Sequence, residues 1–77
     1  MPHIIVKLWP GKSEDQKARL TKAIVRDLSS VLQVRDESIS VAFEEIEPDD
    51  WTDQVFKPDI LDKWDMLTKE PGYGPRP

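Results

Sequence analysis

His3-Ile4-Ile5-Val6-Lys7-Leu8-Trp9 followed by Pro10-Gly11-Lys12-Ser13-Glu14-Asp15-Gln16 places a strand, its stop and a helix start within residues 3–16. Ile4, Val6 and Leu8 alternate along one face, while Ile5 and Trp9 add apolar weight to the other. That is the pattern of a strand buried on one side and partly covered on the other. Pro10-Gly11 ends it. Ser13 with Gln16 three positions on is a capping-box pattern, and Glu14 and Asp15 place negative charge where a helix N-terminus favours it. A helix is therefore expected from about Glu14. Leu20, Ala23, Ile24, Leu28, Val31 and Leu32 recur at three- and four-residue steps, which carries that helix to about Leu32.

Beyond a polar turn at Asp36-Glu37, Ile39, Val41 and Phe43 alternate with Ser40, Ala42 and Glu44, which reads as a second half-buried strand. Strand, long amphipathic helix and strand make a β-α-β unit, with parallel strands and a right-handed crossover expected. Pro48 and Asp49-Asp50 mark a loop. Pro58 suits the first turn of a short C-terminal helix carrying Ile60, Leu61, Trp64 and Leu67. Residues 71–77, with three prolines and two glycines, cannot form a regular element, so they read as an irregular tail or as a strap across a partner. The whole, residues 1–77, reads as one domain.

A two-stranded parallel sheet with one helix leaves edges and much of an apolar face uncovered. A folded chain of 77 residues removes only roughly 60% of its unfolded surface from water. With no cysteine to staple the fold, assembly with a second copy is the expected source of the missing stability, by joining two units into a four-stranded sheet backed by helices. The net charge of −4 argues against nucleic acid as a partner, because that affinity comes mainly from cations that release phosphate counterions. The apolar run Ile4–Trp9 is interrupted by Lys7 and is too short for a membrane span or a signal-peptide core, so a cytoplasmic protein is expected.

With one histidine and no cysteine, the chain offers no histidine-cluster metal site, no thiol nucleophile and no Ser/His/Asp set, and it has no Gly-rich phosphate loop. No cofactor or metal is expected. What remains is Pro2. By residue type alone it is either an ordinary second residue or, once Met1 is removed, a rigid secondary amine that titrates. Apolar walls and neighbouring cations would disfavour its ammonium form and bring it toward neutrality, so that it could take and return protons at working pH.

The opening Pro2-His3-Ile4, the turn Gly11-Lys12-Ser13-Glu14-Asp15-Gln16-Lys17 and Ser38-Ile39-Ser40-Val41 leading to Glu45-Ile46 resemble the 4-oxalocrotonate tautomerase family. Trp51 after Pro48, and the ending Lys69-Glu70-Pro71-Gly72-Tyr73, are similar to its longer PptA-like subgroup. The resemblance implies a tautomerase that moves a proton between the enol and keto forms of a small 2-keto or 2-hydroxydienoate acid, with Pro2 as general acid–base. It also implies that Lys12 stands where the family has an arginine for a substrate carboxylate, with the charge kept and the bidentate fork lost. Trp51 takes the place of an aromatic pocket wall, and Ser40 that of a second arginine that polarises the substrate carbonyl. A serine can donate one hydrogen bond but cannot neutralise enolate charge, and such a loss commonly costs about 3 kcal/mol, roughly a hundredfold in rate. A dicarboxylate is accordingly a poor fit, and the subgroup resemblance implies smaller or monocarboxylate enols such as enolised phenylpyruvate.

Alternatives remain at this level. Trp51 could fill a subunit interface, Lys12 could be a solvated turn residue, and His3 reads as a strand-end residue. Trp9 and Trp64 read as structural, and Arg35 lies in a loop. A homodimer is expected, with the hexamer of shorter relatives as the other possibility. Outside the tautomerase reading stand a non-catalytic binding module on the same fold and, third, hydration or dehalogenation of unsaturated haloacids.

Overall fold

The structure, a computed structural model, describes residues 1–77. It divides into two compact units, Met1–Glu45 and Ile46–Pro77.

In the first unit, strand β1 (His3–Leu8) leads through the Pro10-Gly11 turn into helix α1 (Glu14–Leu32), and a single 3₁₀ turn (Asp36–Ser38) leads into strand β2 (Ser40–Glu45). The expected capping box is formed: Ser13 Oγ accepts from the Gln16 backbone N–H at 3.0 Å, and Gln16 Oε1 accepts from the Ser13 N–H at 2.9 Å. Two of the helix's orphan donors are thereby satisfied where the chain leaves the turn. The helix ends at Gln33, which sits in the left-handed region at φ 55°, ψ 50°.

β1 and β2 pair in parallel with His3 opposite Ser40, Val6 opposite Phe43 and Leu8 opposite Glu45. Side chains alternate across a strand, so this register puts Ile4, Val6, Leu8, Val41, Phe43 and Glu45 on one face. Helix α1 covers that face, as shown by the Lys17 ammonium donating to Glu45 Oε2 at 2.9 Å. The opposite face carries His3, Ile5 and Lys7 beside Ser40, Ala42 and Glu44, and a loose ion pair joins Lys7 to Glu44 at 3.9 Å. The sheet has only these two strands, so each has an outer edge without a strand partner. The expected β-α-β unit is therefore present. Its apolar periodicity is only partly used within one chain, since Ile5 is 47%, Leu20 43% and Val31 77% exposed.

The three buried side chains, Ile46, Val55 and Phe56, all belong to the second unit. Here the structure corrects the sequence reading. A 3₁₀ turn (Pro48–Asp50) leads through Trp51 into α2 (Thr52–Leu61), a π-helical segment in which Pro58 is internal rather than at the first turn. Trp64 belongs to a separate 3₁₀ turn (Trp64–Met66), and Leu67 lies beyond it. The helix-start rule for proline holds at Pro48, which opens the preceding turn. Pro58 lacks an N–H and would crowd the carbonyl one turn back in an α-helix, and the wider π-helical frame accommodates it. Residues 71–77 contain no helix or strand, but they are held down. The Tyr73 ring meets Phe56 edge-on at 5.4 Å, and the Arg76 guanidinium lies 5.2 Å from the centre of the Trp64 ring.

Candidate active site

Pro2 immediately precedes β1, half-buried, with its carbonyl accepting the Ser40 backbone N–H at 3.2 Å. This hydrogen bond extends the parallel ladder by one step and ties the chain end to the start of β2. Met1 is 99% exposed and free of the fold. While Met1 is attached, the Pro2 nitrogen is a tertiary amide with no basic lone pair, so acid–base chemistry at Pro2 requires its removal.

Pro2 and Ser40, two of the residues singled out from the sequence, are thus brought together. Beside them lies a third residue, His3, whose Nδ1 is 2.6 Å from Ser40 Oγ. The direction of this bond decides what the serine can offer. When Nδ1 carries the proton it donates to Oγ, leaving the hydroxyl proton available to another acceptor; when Nδ1 is bare, it consumes that proton. The sequence pattern did not place this contact: its alternation begins the second strand at Ile39, and the parallel register of the structure is what sets His3 opposite Ser40.

Lys12 lies elsewhere. It follows the far end of β1 and lines a depression of about 190 Å³ with Leu8, Gln16, Leu20 and Phe43. Lys17 shares this depression, but its ammonium is occupied by Glu45 at 2.9 Å and Glu14 at 3.5 Å. The hydrogen bond to Glu45, more than any other neighbour, raises the Lys17 pKa above its ordinary value. Between His3 and Leu8 the strand makes five steps of ~3.3 Å, about 17 Å in all, several times the length of a hydrogen bond. Pro2 and Lys12 of one chain are therefore at opposite ends of the sheet and do not form a single site.

Trp51 belongs to the second unit, half-buried, and its indole Nε1–H donates to the Tyr73 hydroxyl at 3.0 Å. Tyr73 entered the sequence reading only within the ending that carries the subgroup resemblance, and nothing there pointed to a contact with Trp51, because the residues around it have no periodicity to read. Arg35 is exposed and pairs with Glu37 at 3.6 Å.

A parallel strand pair joined by one long helix, with a proline at the free end of the first strand, is the architecture on which an N-terminal amine can be presented as a reagent. A family model described as tautomerase enzyme matches residues 2–55. The chain is 47% identical to Tautomerase PptA of Pectobacterium carotovorum subsp. carotovorum (strain PC1) over 78 aligned positions, covering 95% of this chain and 97% of that protein. It is 40% identical to a probable tautomerase of Xylella fastidiosa (strain 9a5c), covering 96% and 90%, and 35% identical to Tautomerase PptA of Escherichia coli O139:H28 (strain E24377A / ETEC), covering 95% and 97%. The chain belongs to the tautomerase family. Its activity is accordingly that of an isomerase, a tautomerase, which decides against the non-catalytic binding module among the readings the sequence left open. No helix is long and apolar enough to cross a membrane.

Proposed function

We propose that, after loss of Met1, the Pro2 amine is the general acid–base of an enol–keto tautomerase acting on small 2-keto acids. The observation that carries this reading is the place of Pro2: the family match begins at this residue, and its carbonyl is fixed on Ser40 at the head of the sheet. A secondary amine held in a rigid ring keeps its lone pair in one direction, as repeated removal and return of a carbon-bound proton requires. The full exposure of Met1 supports its accessibility to an aminopeptidase.

The second element of the reading is a homodimer with shared sites. Lys12 is the residue suited to a substrate carboxylate, yet it lies at the opposite end of β1 from Pro2. A two-fold axis that pairs one outer sheet edge with its copy sets the edge strands antiparallel. The Lys12 end of one copy then lies beside the Pro2 end of the other, and the four-stranded sheet covers an open edge on each copy. The absence of any buried side chain from the β-α-β unit of a single chain supports such an assembly. In this site the partner copy contributes the cationic clamp and Ser40 offers a hydroxyl oriented by His3 in place of a cation; Trp51 carries the role of apolar substrate wall that the family resemblance implies. Smaller monocarboxylate enols fit this set better than dicarboxylates, because only one cation is offered. The reading includes one domain over residues 1–77 and a cytoplasmic enzyme, supported by the N-terminal apolar run being taken up as β1.

The test compares processed protein with a Met1-retaining form on a panel of enolised 2-keto acids, enolised phenylpyruvate among them, and asks whether an electrophilic keto acid labels Pro2. Processed protein should turn over and be labelled at Pro2 alone, and the Met1-retaining form should do neither. Equal rates in the two forms end the reading.

A further inference from the structure

The Pro- and Gly-rich C-terminal segment is anchored in a way that leaves one polar group free to act on another residue. The Phe56 ring, 4% exposed, receives the edge of Tyr73 at 5.4 Å and an interplanar angle of 62°. The next residue, Gly74, has φ +75°, and a Cβ built on it would meet Phe56 Cε1 at 2.5 Å and Cζ at 2.6 Å. No side chain fits there, so the backbone lies directly on the ring. Two residues on, the Arg76 guanidinium donates to Glu70 Oε1 at 3.0 Å, closing the segment onto its own start. These contacts fix Tyr73 through its ring and its backbone, and they leave the hydroxyl to accept the Trp51 indole N–H at 3.0 Å across 22 residues of chain.

An indole has one donor and no acceptor, so this bond uses its whole hydrogen-bonding capacity and sets the orientation of the ring plane. We propose that Tyr73 is a positioning residue: the C-terminal strap holds the Trp51 indole in a single orientation, ready to stack on a planar conjugated acid. The proposal rests on the reading of Trp51 as the aromatic wall of the site. An aromatic face attracts a flat ligand only when its plane is presented, and a side chain ordered beforehand does not have to be ordered by the ligand. Tyr73 then contributes to affinity without touching the ligand.

The test uses trans-cinnamate, a planar conjugated carboxylate, with its Kd measured by calorimetry on full-length processed protein. Wild type is compared with Tyr73→Phe, Trp51→Phe and the double variant. Tyr73→Phe keeps the ring on Phe56 and removes only the hydroxyl, and circular dichroism and the melting temperature check that all four proteins are folded. Tyr73→Phe is expected to shift the Trp51 indole N–H resonance and to weaken cinnamate binding roughly threefold to tenfold, the usual reach of one neutral hydrogen bond. In the Trp51→Phe background, where no indole N–H remains, the same substitution is expected to change nothing. An unmoved indole resonance, an unchanged Kd, or an equal loss in both backgrounds overturns the proposal. If a Trp51→Ala variant, which removes the aromatic face altogether, binds cinnamate as wild type does, the aromatic-wall reading itself has failed. If Trp51→Ala weakens binding while Tyr73→Phe does not, only the strap has.

Discussion

Mixing one blocked and one impaired subunit should restore activity if Lys12 serves the site of the other copy. The first chain carries Lys12→Ala. The second is N-terminally extended, so that its Pro2 nitrogen stays an amide. About 17 Å of β1 separates the two positions within one chain, so a site that uses both residues, as proposed, takes Pro2 from one copy and Lys12 from its partner. In a dimer of one chain of each kind, one site combines the blocked Pro2 with the copy that carries Lys12→Ala, and the other combines a free Pro2 with an intact Lys12. Unbiased mixing makes about half of the dimers mixed, with one good site in two, so about one-quarter of all sites should be native. Alone, Lys12→Ala should lose a charged hydrogen bond of about 1.5–3 kcal/mol, which is roughly tenfold to a hundredfold, expressed mainly in KM. The assay follows enol–keto conversion at subsaturating substrate after the two chains are unfolded together and refolded, and sedimentation equilibrium confirms dimers. Recovery to about a quarter of the wild-type rate is expected. If the mixture shows only the average of its parents, each site draws Pro2 and Lys12 from the same chain or does not use Lys12, and the two-fold geometry argued above is refuted.

Two further outcomes follow from the first unit. Gln33 occupies the left-handed region at φ 55°, where a side chain is strained, so Gln33→Gly should stabilise the protein by about 0.5–1 kcal/mol, a rise of a few degrees in Tm, while Gln33→Ala should not. A thermal melt of both variants decides it. The Lys17 pKa is raised by its hydrogen bond to Glu45, so the stability from this contact is fully present below the unfolded lysine value and is lost as pH rises through the higher folded value. Denaturant titrations at increasing alkaline pH should show a steeper loss for wild type than for Glu45→Gln, which keeps an acceptor but removes the charge.

The sequence alone determined the β-α-β unit closely, because each of its signals is local. The capping box at Ser13 and Gln16 sets the helix start, the 3.6-residue stripe carries it to Leu32, and two-residue alternation marks both strands. It also singled out Pro2, through a chemical property of one residue type rather than through any contact. In the second unit the same kind of reading failed, because Pro58 carries two meanings. A proline can open a helix or sit in a widened one, and only packing chooses between them. Phe56 and Val55 are buried there, and burying them requires the chain to turn from Thr52 onward, ahead of the proline.

The contacts on which the proposed function rests were decided by tertiary structure. His3 meets Ser40 because of a register across 37 residues, Trp51 meets Tyr73 across 22, and Pro2 is parted from Lys12 by the length of a strand. Periodicity and spacing report which face of its own element a residue occupies. They carry no information about the partner across the sheet or at the far end of the chain, because that choice is made by the sum of packing over many residues, and no local stretch contains it.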